Sequence, residues 1–437
     1  MVRLPPRLRP LFPYLKPAYV RGTRMVAPGM QWVSRVRDGF LPTGAVQTLE
    51  DAAVTSGGRC TVARPAEILD RPGIEGLPPG LPLTDPTDGE HVDRLAVAEL
   101  PGGRVLGPHR AVITGRGDLV HEVSRYFGTT RPREHPLFLN PLVPAPLEVD
   151  GRLGVLASRG DGNYYHFLFD VLSRIGALEQ CRDVTPPDRW YVPATTRFQR
   201  ELLAMMGVDD AHVIDADRHP HVRAQCLVVP GPPAMNEKNP PWVVEFLRRR
   251  LLPQVEVGAA NRRIYVTRGA ALNNRAVLDE QAVIDFLATR GFEAVDPGAM
   301  PVAEQIRTFA EASLIVAPHG AALANLMFAS SGAGLIEMFP AGCLLPDFWR
   351  MACGVPGCAI DTCPRPAARP VRPARRPSSP ISRSIWPPWD GWSTNSADRP
   401  LSPPARPDPP RPAGARGHAD VAGCRPTRRS PRPAGCR

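Results

Sequence analysis

The strongest constraint on the fold is a regular alternation of short apolar runs with helical patterns across residues 262–340. The predicted strands cover residues 264–267, 292–295, 314–317 and 335–339, and the predicted helices cover residues 279–290, 302–311 and 321–328. β-Branched and aromatic residues fill the short runs, whereas the longer segments place apolar residues at helical spacing. Such an alternation is typical of a parallel sheet covered by helices on both faces. The sequence therefore predicts the α/β class.

Two polar segments follow strands of this predicted sheet. Residues 267–269 are Thr-Arg-Gly after the first strand, and residues 318–320 are Pro-His-Gly after the third. Ligands of parallel sheets bind beyond the carboxyl ends of the strands, which is where both segments lie. The guanidinium of Arg268 suits a diphosphate, with Arg275 in support, because its charge is permanent and its fork matches phosphate oxygens. His319 and the helix that starts behind it predict a second anion contact.

A second α/β region precedes this one. Predicted strands at residues 153–157, 190–193 and 222–229 alternate with predicted helices at residues 164–178, 197–206 and 241–252. Residues 104–119 predict two short strands of a small sheet. The predicted divisions are a poorly defined region 1–100, an N-terminal α/β domain 101–255, a C-terminal α/β domain 256–363 and a tail 364–437.

The helix predicted at residues 164–178 is apolar on most sides but carries three ionisable residues. His166, Asp170 and Arg174 follow each other at four-residue spacing, which places them along one helical stripe. Burying such groups is costly unless they are paired or line a cleft. Two interpretations stay open: the three residues form a structural ion network, or His166 and Asp170 provide the base of an acid–base reaction.

The net charge of +10 is concentrated in the C-terminal tail. From residue 364 onward the chain contains 15 arginines and four aspartates, so the residues before them are close to neutral. We therefore expect no nucleic-acid partner for the folded part. Eighteen of the 74 tail residues are proline, which predicts disorder. The tail is either a polyanion-binding segment or the product of a shifted reading frame, and the abrupt change of composition favours the shifted frame.

The N-terminal sequence and the cysteines indicate the cellular location of the protein. Residues 1–20 are basic but interrupted by proline, without the continuous apolar segment of a signal peptide. The nine cysteines form no paired framework, which favours reduced thiols, and no ligand pattern predicts a metal site. We predict a cytoplasmic protein, and peripheral association with a membrane surface stays open.

Four sequence blocks together resemble a bacterial-type member of glycosyltransferase family 61. They are NYYHFLFDVLSRI (163–175), IYVTRG (264–269), RAVLDEQAVIDFLATRGFEAVDP (275–297) and IVAPHGAALANLMFASSGAGLIEMFP (315–340), in the family's order. The combination is more specific than any one block. The resemblance implies a GT-B architecture of two Rossmann-like domains facing a cleft, a nucleotide-sugar donor, inversion at the anomeric carbon, and neither a cofactor nor an obligatory metal.

The resemblance also implies roles for individual residues. The implied donor-site residues are Arg268, Arg275, His319, Gly320, Asn325 and Glu337. The implied acceptor-side residues are Asn163, His166, Asp170 and Arg174, with Asp170 and His166 as catalytic candidates. One departure concerns the C-terminus, because family members continue with folded structure beyond the equivalent of Trp349. In GT-B folds the C-terminal helix usually returns to the first domain, and an out-of-frame tail would remove that return.

We therefore expect a glycosyltransferase that transfers a hexosyl or pentosyl group to a glycan or another hydroxyl acceptor, as in polysaccharide biosynthesis. Arg268 would hold the donor diphosphate, His319 would stabilise the leaving group, and Asp170 or His166 would deprotonate the acceptor. An alternative is a catalytically inactive nucleotide-sugar-binding protein, which would bind donors without transfer. A third hypothesis is polyanion binding through the Arg-rich tail, which salt would abolish.

Overall fold

A computed structural model gives the fold of residues 12–37, 39–71, 89–126, 129–233, 238–268, 277–339 and 345–355. For residues 12–17 it describes the backbone only. Arg275 and the predicted tail 364–437 lie outside these ranges, so what the sequence predicts for them stays a prediction. The described residues form a mixed α/β fold with two large sheets, which confirms the predicted class.

The first sheet takes its strands from the N-terminal half. In chain order the strands of this half are β1 (Gly44–Val46), β2 (Arg59–Arg64), β3 (Glu67–Leu69), β4 (Glu90–Val92), β5 (Leu95–Pro101), β6 (Arg104–Leu106), β7 (Ala111–Ile113), β8 (Asp118–Val120), β9 (Leu147–Val155), β10 (Arg189–Val192), β11 (Val213–Asp215) and β12 (His221–Pro230). β3 and β4 pair with each other, and the other ten strands form one mixed sheet. Its main path runs β1-β8-β7-β6-β12-β9-β10-β11, with β5 beside β12 and β2 beside β5.

This sheet has a parallel part and an antiparallel part. β12, β9, β10 and β11 pair in parallel and contain the strands predicted from the sequence. The segment 104–119 forms three strands rather than two, because Gly107 and Gly117 both adopt positive φ angles and reverse the chain twice. These strands join the large sheet instead of forming a small one of their own.

The helices of this half surround the sheet. They are α1 (Phe12–Val36), α2 (Leu49–Ser56), α3 (Tyr164–His166), α4 (Ser173–Glu179), α5 (Arg197–Met205) and α6 (Pro241–Leu251), with 3₁₀ helices at Pro132–Glu134, Pro136–Leu139, Asp210–His212 and Leu252–Gln254. A π-helical turn, Phe167–Leu172, joins α3 to α4, so the predicted helix at residues 164–178 is one continuous helix with a widened middle.

Helix α1 was not predicted, because Pro17, Gly22, Pro28 and Gly29 interrupt its sequence pattern. Its buried residues recur at three- or four-residue spacing and are Val20, Thr23, Ala27, Gln31 and Ser34. Ala27 belongs to an apolar cluster with residues of β6, β7 and the 3₁₀ helix Pro136–Leu139, and the Gln31 side-chain amide donates to the Pro42 carbonyl over 2.6 Å. Tertiary packing therefore outweighs the weak helix propensity.

The second sheet confirms the predicted alternation of strands and helices. Its elements are β13 (Arg262–Val266), α7 (Glu280–Ala288), β14 (Glu293–Val295), α8 (Val302–Ala310), β15 (Ala312–Pro318), the 3₁₀ helix Ala321–Phe328 and β16 (Gly334–Met338). All its strand pairs are parallel, in the order β14-β13-β15-β16. The chain therefore crosses from one side of β13 to the other between β14 and β15. In open α/β sheets ligands bind where the strand order reverses in this way, at the carboxyl ends of the strands, which here are those of β13 and β15.

A short helix after the second sheet contacts the N-terminal half. This helix, α9 (Asp347–Ala352), follows the sheet along the chain. The Arg71 guanidinium donates to the Arg350 carbonyl over 2.5 Å and binds Glu90 at 3.0 Å, while Arg350 binds the other oxygen of Glu90 at 2.7 Å. The Asn239 side-chain amide donates to the Asp347 carbonyl over 3.0 Å. A return of the chain to the first half is thus already present before residue 356.

We expect the loss of Arg71 to destabilise the fold. Its side chain is only 5% exposed and joins Glu90 to α9, so Arg71→Ala removes a buried guanidinium and leaves the half-buried Glu90 carboxylate with its Arg350 contact alone. The expected loss in the free energy of unfolding is about 3 kcal/mol, measured by denaturant titration. Arg249→Ala is the matched control, because its ion pair with Glu245 is exposed and long, and it should cost about 0.5 kcal/mol or less. Equal effects of the two substitutions would contradict the buried network.

Candidate active site

Arg268 follows the carboxyl end of β13 and lies beside the end of β15. Its guanidinium Nη1 donates to the His319 carbonyl over 2.6 Å, which brings together the two polar segments that the sequence placed at this sheet edge. Gly320 follows, and a Cβ atom built on it would lie only 2.7 Å from the same Nη1. Glycine therefore leaves room for the guanidinium in this position, and a larger residue would displace it.

His319 is held by a buried carboxylate. Its Nδ1 lies 2.6 Å from the Glu337 Oε1, and the two side chains are 5% and 6% exposed. Glu337 reaches this place because β16 pairs in parallel with β15, with Ala317 opposite Glu337. The imidazole also stacks on Phe339, with ring centroids 5.3 Å apart. A carboxylate at this distance accepts a hydrogen bond from Nδ1, which places a proton on Nδ1 and fixes the orientation of the ring.

Asn325 is buried and joins the two halves of the chain. Its side-chain oxygen accepts a hydrogen bond from the Tyr164 hydroxyl over 2.8 Å, and its Nδ2 donates to Gln305 over 3.0 Å and to the Ala322 carbonyl over 3.1 Å. Its hydrogen-bonding groups are thus engaged with protein, and it supports the segment that follows His319. A direct contact of Asn325 with a donor stays a prediction.

The helix Tyr164–Glu179 carries the second group of predicted residues. Asn163 caps its start, since its side-chain oxygen accepts from the backbone N–H of Tyr165 over 3.0 Å and of His166 over 3.4 Å. His166 Nδ1 and Asp170 Oδ2 are 2.8 Å apart, so the predicted pair forms. Gly160 lies against the His166 ring, where a Cβ atom would come within 2.8 Å of it. The imidazole is therefore positioned from both sides.

Arg174 anchors this helix to the first sheet. Its side chain is buried and donates to two backbone carbonyls, those of Asp170 over 2.8 Å and Val155 over 3.3 Å. Burial lowers the pKa of Arg174 to about 10. Within the helix, Arg174 thus donates to the backbone carbonyl of Asp170. The acceptor-side role of Arg174 stays a prediction.

Asp347 is a site residue that the sequence analysis missed. It is the first residue of α9, and burial raises the pKa of its carboxyl above the ordinary value, against the opposing pull of His319 and Arg350. Glu337 and His166 also lie within electrostatic reach of it. The Asp347 carboxyl thus interacts electrostatically with both predicted histidines, His319 and His166. A lone aspartate after a proline, outside any periodic element, offers no signal that singles it out.

A buried arginine, also unpredicted, holds the loop before the helix. Arg110 adopts a positive φ of 55°, and its Nε binds Asp161 Oδ2 at 2.9 Å while Nη1 donates to the Ala216 carbonyl over 2.7 Å. Its Nη2 also binds Asp217. Asp161 belongs to the loop that contains Gly160, so this network positions the backbone against the His166 ring. The two partners are 51 residues apart, which hides the pair from sequence patterns.

Comparison with protein families supports the resemblance found in the sequence. The Glycosyltransferase 61 family model matches residues 164–336, a segment that begins in the helix with His166 and ends beside Glu337. A search of characterised proteins gave no significant match. The matched segment includes Arg268, His319 and the other described site residues except Arg110, Gly160, Asp161, Asn163, Glu337 and Asp347. The family resemblance is therefore confirmed for these residues, and it supports glycosyltransferase activity in general.

We expect the Tyr164–Asn325 hydrogen bond to couple the two halves energetically. Tyr164→Phe should lower the free energy of unfolding by about 1 kcal/mol, and Asn325→Ala by about 3 kcal/mol because it leaves buried polar groups unpaired. The double variant should lose about 1 kcal/mol less than the sum of the two. Denaturant titration measures all three, with exposed Asn140→Ala as a control that should change stability little. Strictly additive effects would show that the bond contributes nothing.

Proposed function

Because residues 164–336 carry the glycosyltransferase family 61 pattern, we propose that this chain transfers a sugar from a nucleotide-sugar donor to a hydroxyl acceptor, with inversion and without a metal. The observation that carries the proposal is the contact of Arg268 with the backbone of His319 and Gly320 at the carboxyl ends of β13 and β15. This sheet edge supports donor binding because nucleotides bind at such reversals of strand order in open α/β sheets.

The donor diphosphate meets two sources of positive charge in this proposal. Arg268 contributes a guanidinium that a neighbouring glycine leaves room for, and its carbonyl contact fixes its direction. His319, whose Nδ1 faces the buried Glu337, is proposed as the second cation, close to the same backbone. Charge that develops on the leaving diphosphate is then stabilised by groups already in place, which lowers the barrier without reorganisation.

The acceptor base in this proposal is His166, oriented by Asp170. The 2.8 Å contact engages Nδ1 of the imidazole and makes Nε2 the nitrogen that receives the proton of the acceptor hydroxyl. The sequence left either residue as the base, and the pairing favours this division of roles. The hydroxyl oxygen attacks the anomeric carbon as the bond to the diphosphate breaks, and the proton moves to His166.

The proposal extends to a GT-B arrangement, in which the second sheet belongs to the donor side and the helix Tyr164–Glu179 to the acceptor side. Asp347 lies within electrostatic reach of both His166 and His319, which supports the proposal that the two groups of residues face each other. The sugar is a hexose or pentose and the acceptor a glycan or another hydroxyl compound, consistent with polysaccharide biosynthesis in the cytoplasm. The competing hypothesis, an inactive nucleotide-sugar-binding protein, differs only in turnover.

Donor binding is the first test. Titration of the purified full chain with UDP, GDP and their sugar derivatives should show saturable binding of one nucleotide class. Arg268→Ala should weaken it roughly 10- to 100-fold through the lost charged hydrogen bonds. Gly320→Ala should weaken it about tenfold by displacing the guanidinium. Gly22→Ala is the control, since a Cβ atom there meets no other atom within 4 Å. Unchanged affinity in Arg268→Ala would exclude the assigned donor site.

Turnover separates the transferase from the inactive alternative. Once a donor is identified, product formation should fall about 100- to 10,000-fold in His166→Ala and less in Asp170→Asn, because general-base catalysis is lost or misoriented. Donor affinity should stay within a factor of about two in both variants, since the pair acts on the acceptor. Near-normal turnover in both variants would rule out the pair as the base. Binding without any transfer by the unaltered chain would favour the inactive protein.

A further inference from the structure

Helix α1 presents exposed apolar side chains on the side opposite its buried residues, with arginines beside them on one flank. Met25, Trp32 and Val36 follow at seven- and four-residue spacing and are 81%, 66% and 64% exposed. Arg21, Arg24 and Arg35 are exposed beside them. We refer to these six residues as the α1 face. A tryptophan, a methionine and a valine exposed together on one helix are an unusual solvent surface.

The buried side of α1 fixes the direction of this face. Ala27 packs into the cluster formed with β6, β7 and the 3₁₀ helix Pro136–Leu139. Gln31 donates to the Pro42 carbonyl, and the Ser34 hydroxyl accepts from the backbone N–H of Leu41 over 3.2 Å. The helix is thus held at Ala27, Gln31 and Ser34 by the first sheet and the loop before β1, and its other side is exposed.

We propose that the α1 face binds the surface of an anionic lipid membrane. The helix contains no acidic residue, so its charge is positive throughout. Its arginines match the negative headgroups, and Trp32 with Met25 fits the boundary between headgroups and acyl chains, where amphipathic helices of this composition lie. None of the helices in the described ranges is long and apolar enough to cross a bilayer, so the contact is peripheral.

The distribution of charge favours lipid over other anionic partners. The chain outside its tail is close to neutral, so the arginines of α1 form a local patch rather than part of a basic surface. A surface that binds a polyanion needs only positive charge. The α1 face combines positive charge with apolar side chains that can insert into an acyl layer. This inference concerns a surface separate from the candidate active site and does not depend on the proposed function.

Vesicle flotation of the full chain tests the proposal, using phosphatidylcholine vesicles with and without phosphatidylglycerol. The unaltered chain should float with the anionic vesicles only. Arg21→Gln/Arg24→Gln/Arg35→Gln should lower the partition coefficient roughly 100-fold, as expected for three charges near the surface. Met25→Ser/Trp32→Ser should lower it at least about tenfold through lost apolar insertion. The Arg-rich tail is present in every variant, so the differences report on α1.

Two controls match these variants. Arg116→Gln/Arg182→Gln/Arg189→Gln removes the same charge from exposed positions elsewhere, and Val54→Ser removes an apolar side chain that is 83% exposed on α2. Both should bind within a factor of about two of the unaltered chain. Absence of anionic-vesicle binding overturns the proposal, as does binding that the α1 variants retain. Self-association in light scattering that Met25→Ser/Trp32→Ser abolishes, without vesicle binding, would assign the face to a second copy instead.

Discussion

The burial of one apolar core shared by the two sheets is the constraint on which the candidate active site depends. Phe167 and Leu168 from the helix of the first half lie in the same buried cluster as Leu323 and Phe328 from the second. Because this core excludes water, the polar groups along it need protein partners. Tyr164 finds one in Asn325 across the two halves. The backbone that carries His319 is thereby held against the helix that carries His166.

The same constraint explains where the polar residues can act. Parallel strands covered on both faces are apolar along their length, so ligand contacts are confined to the strand ends. Arg268 and His319 occupy two neighbouring ends, and Glu337 lies on the next strand. Helix α9 adds Asp347 from outside the sheet. The site is thus built from a rigid edge and two helices, which suits the positioning of a transferred group.

Much of this arrangement could be predicted from sequence, because it rests on local periodicity. The apolar runs of the second sheet are short and separated by amphipathic helices, so the sequence predicts its strands, its helices and the sheet edge that carries Arg268. Helix α1 was missed because its prolines and glycines disguise a face that only tertiary contacts with the first sheet stabilise. The pairing of Arg110 with Asp161 and the placement of Asp347 depend on contacts distant in sequence, to which no periodicity applies.

Paired buried charges alone would be weak grounds for a function, since ion pairs of this kind also serve structure. The Arg110–Asp161 pair illustrates this, because Arg110 binds Asp161 and the Ala216 carbonyl and thereby fixes a loop. Arg268 differs in that its guanidinium lies against Gly320, where a larger residue would displace it. Its backbone contact is made at the point where the order of the strands reverses. Position and close approach, more than the number of charges, therefore distinguish the candidate active site from its supporting network.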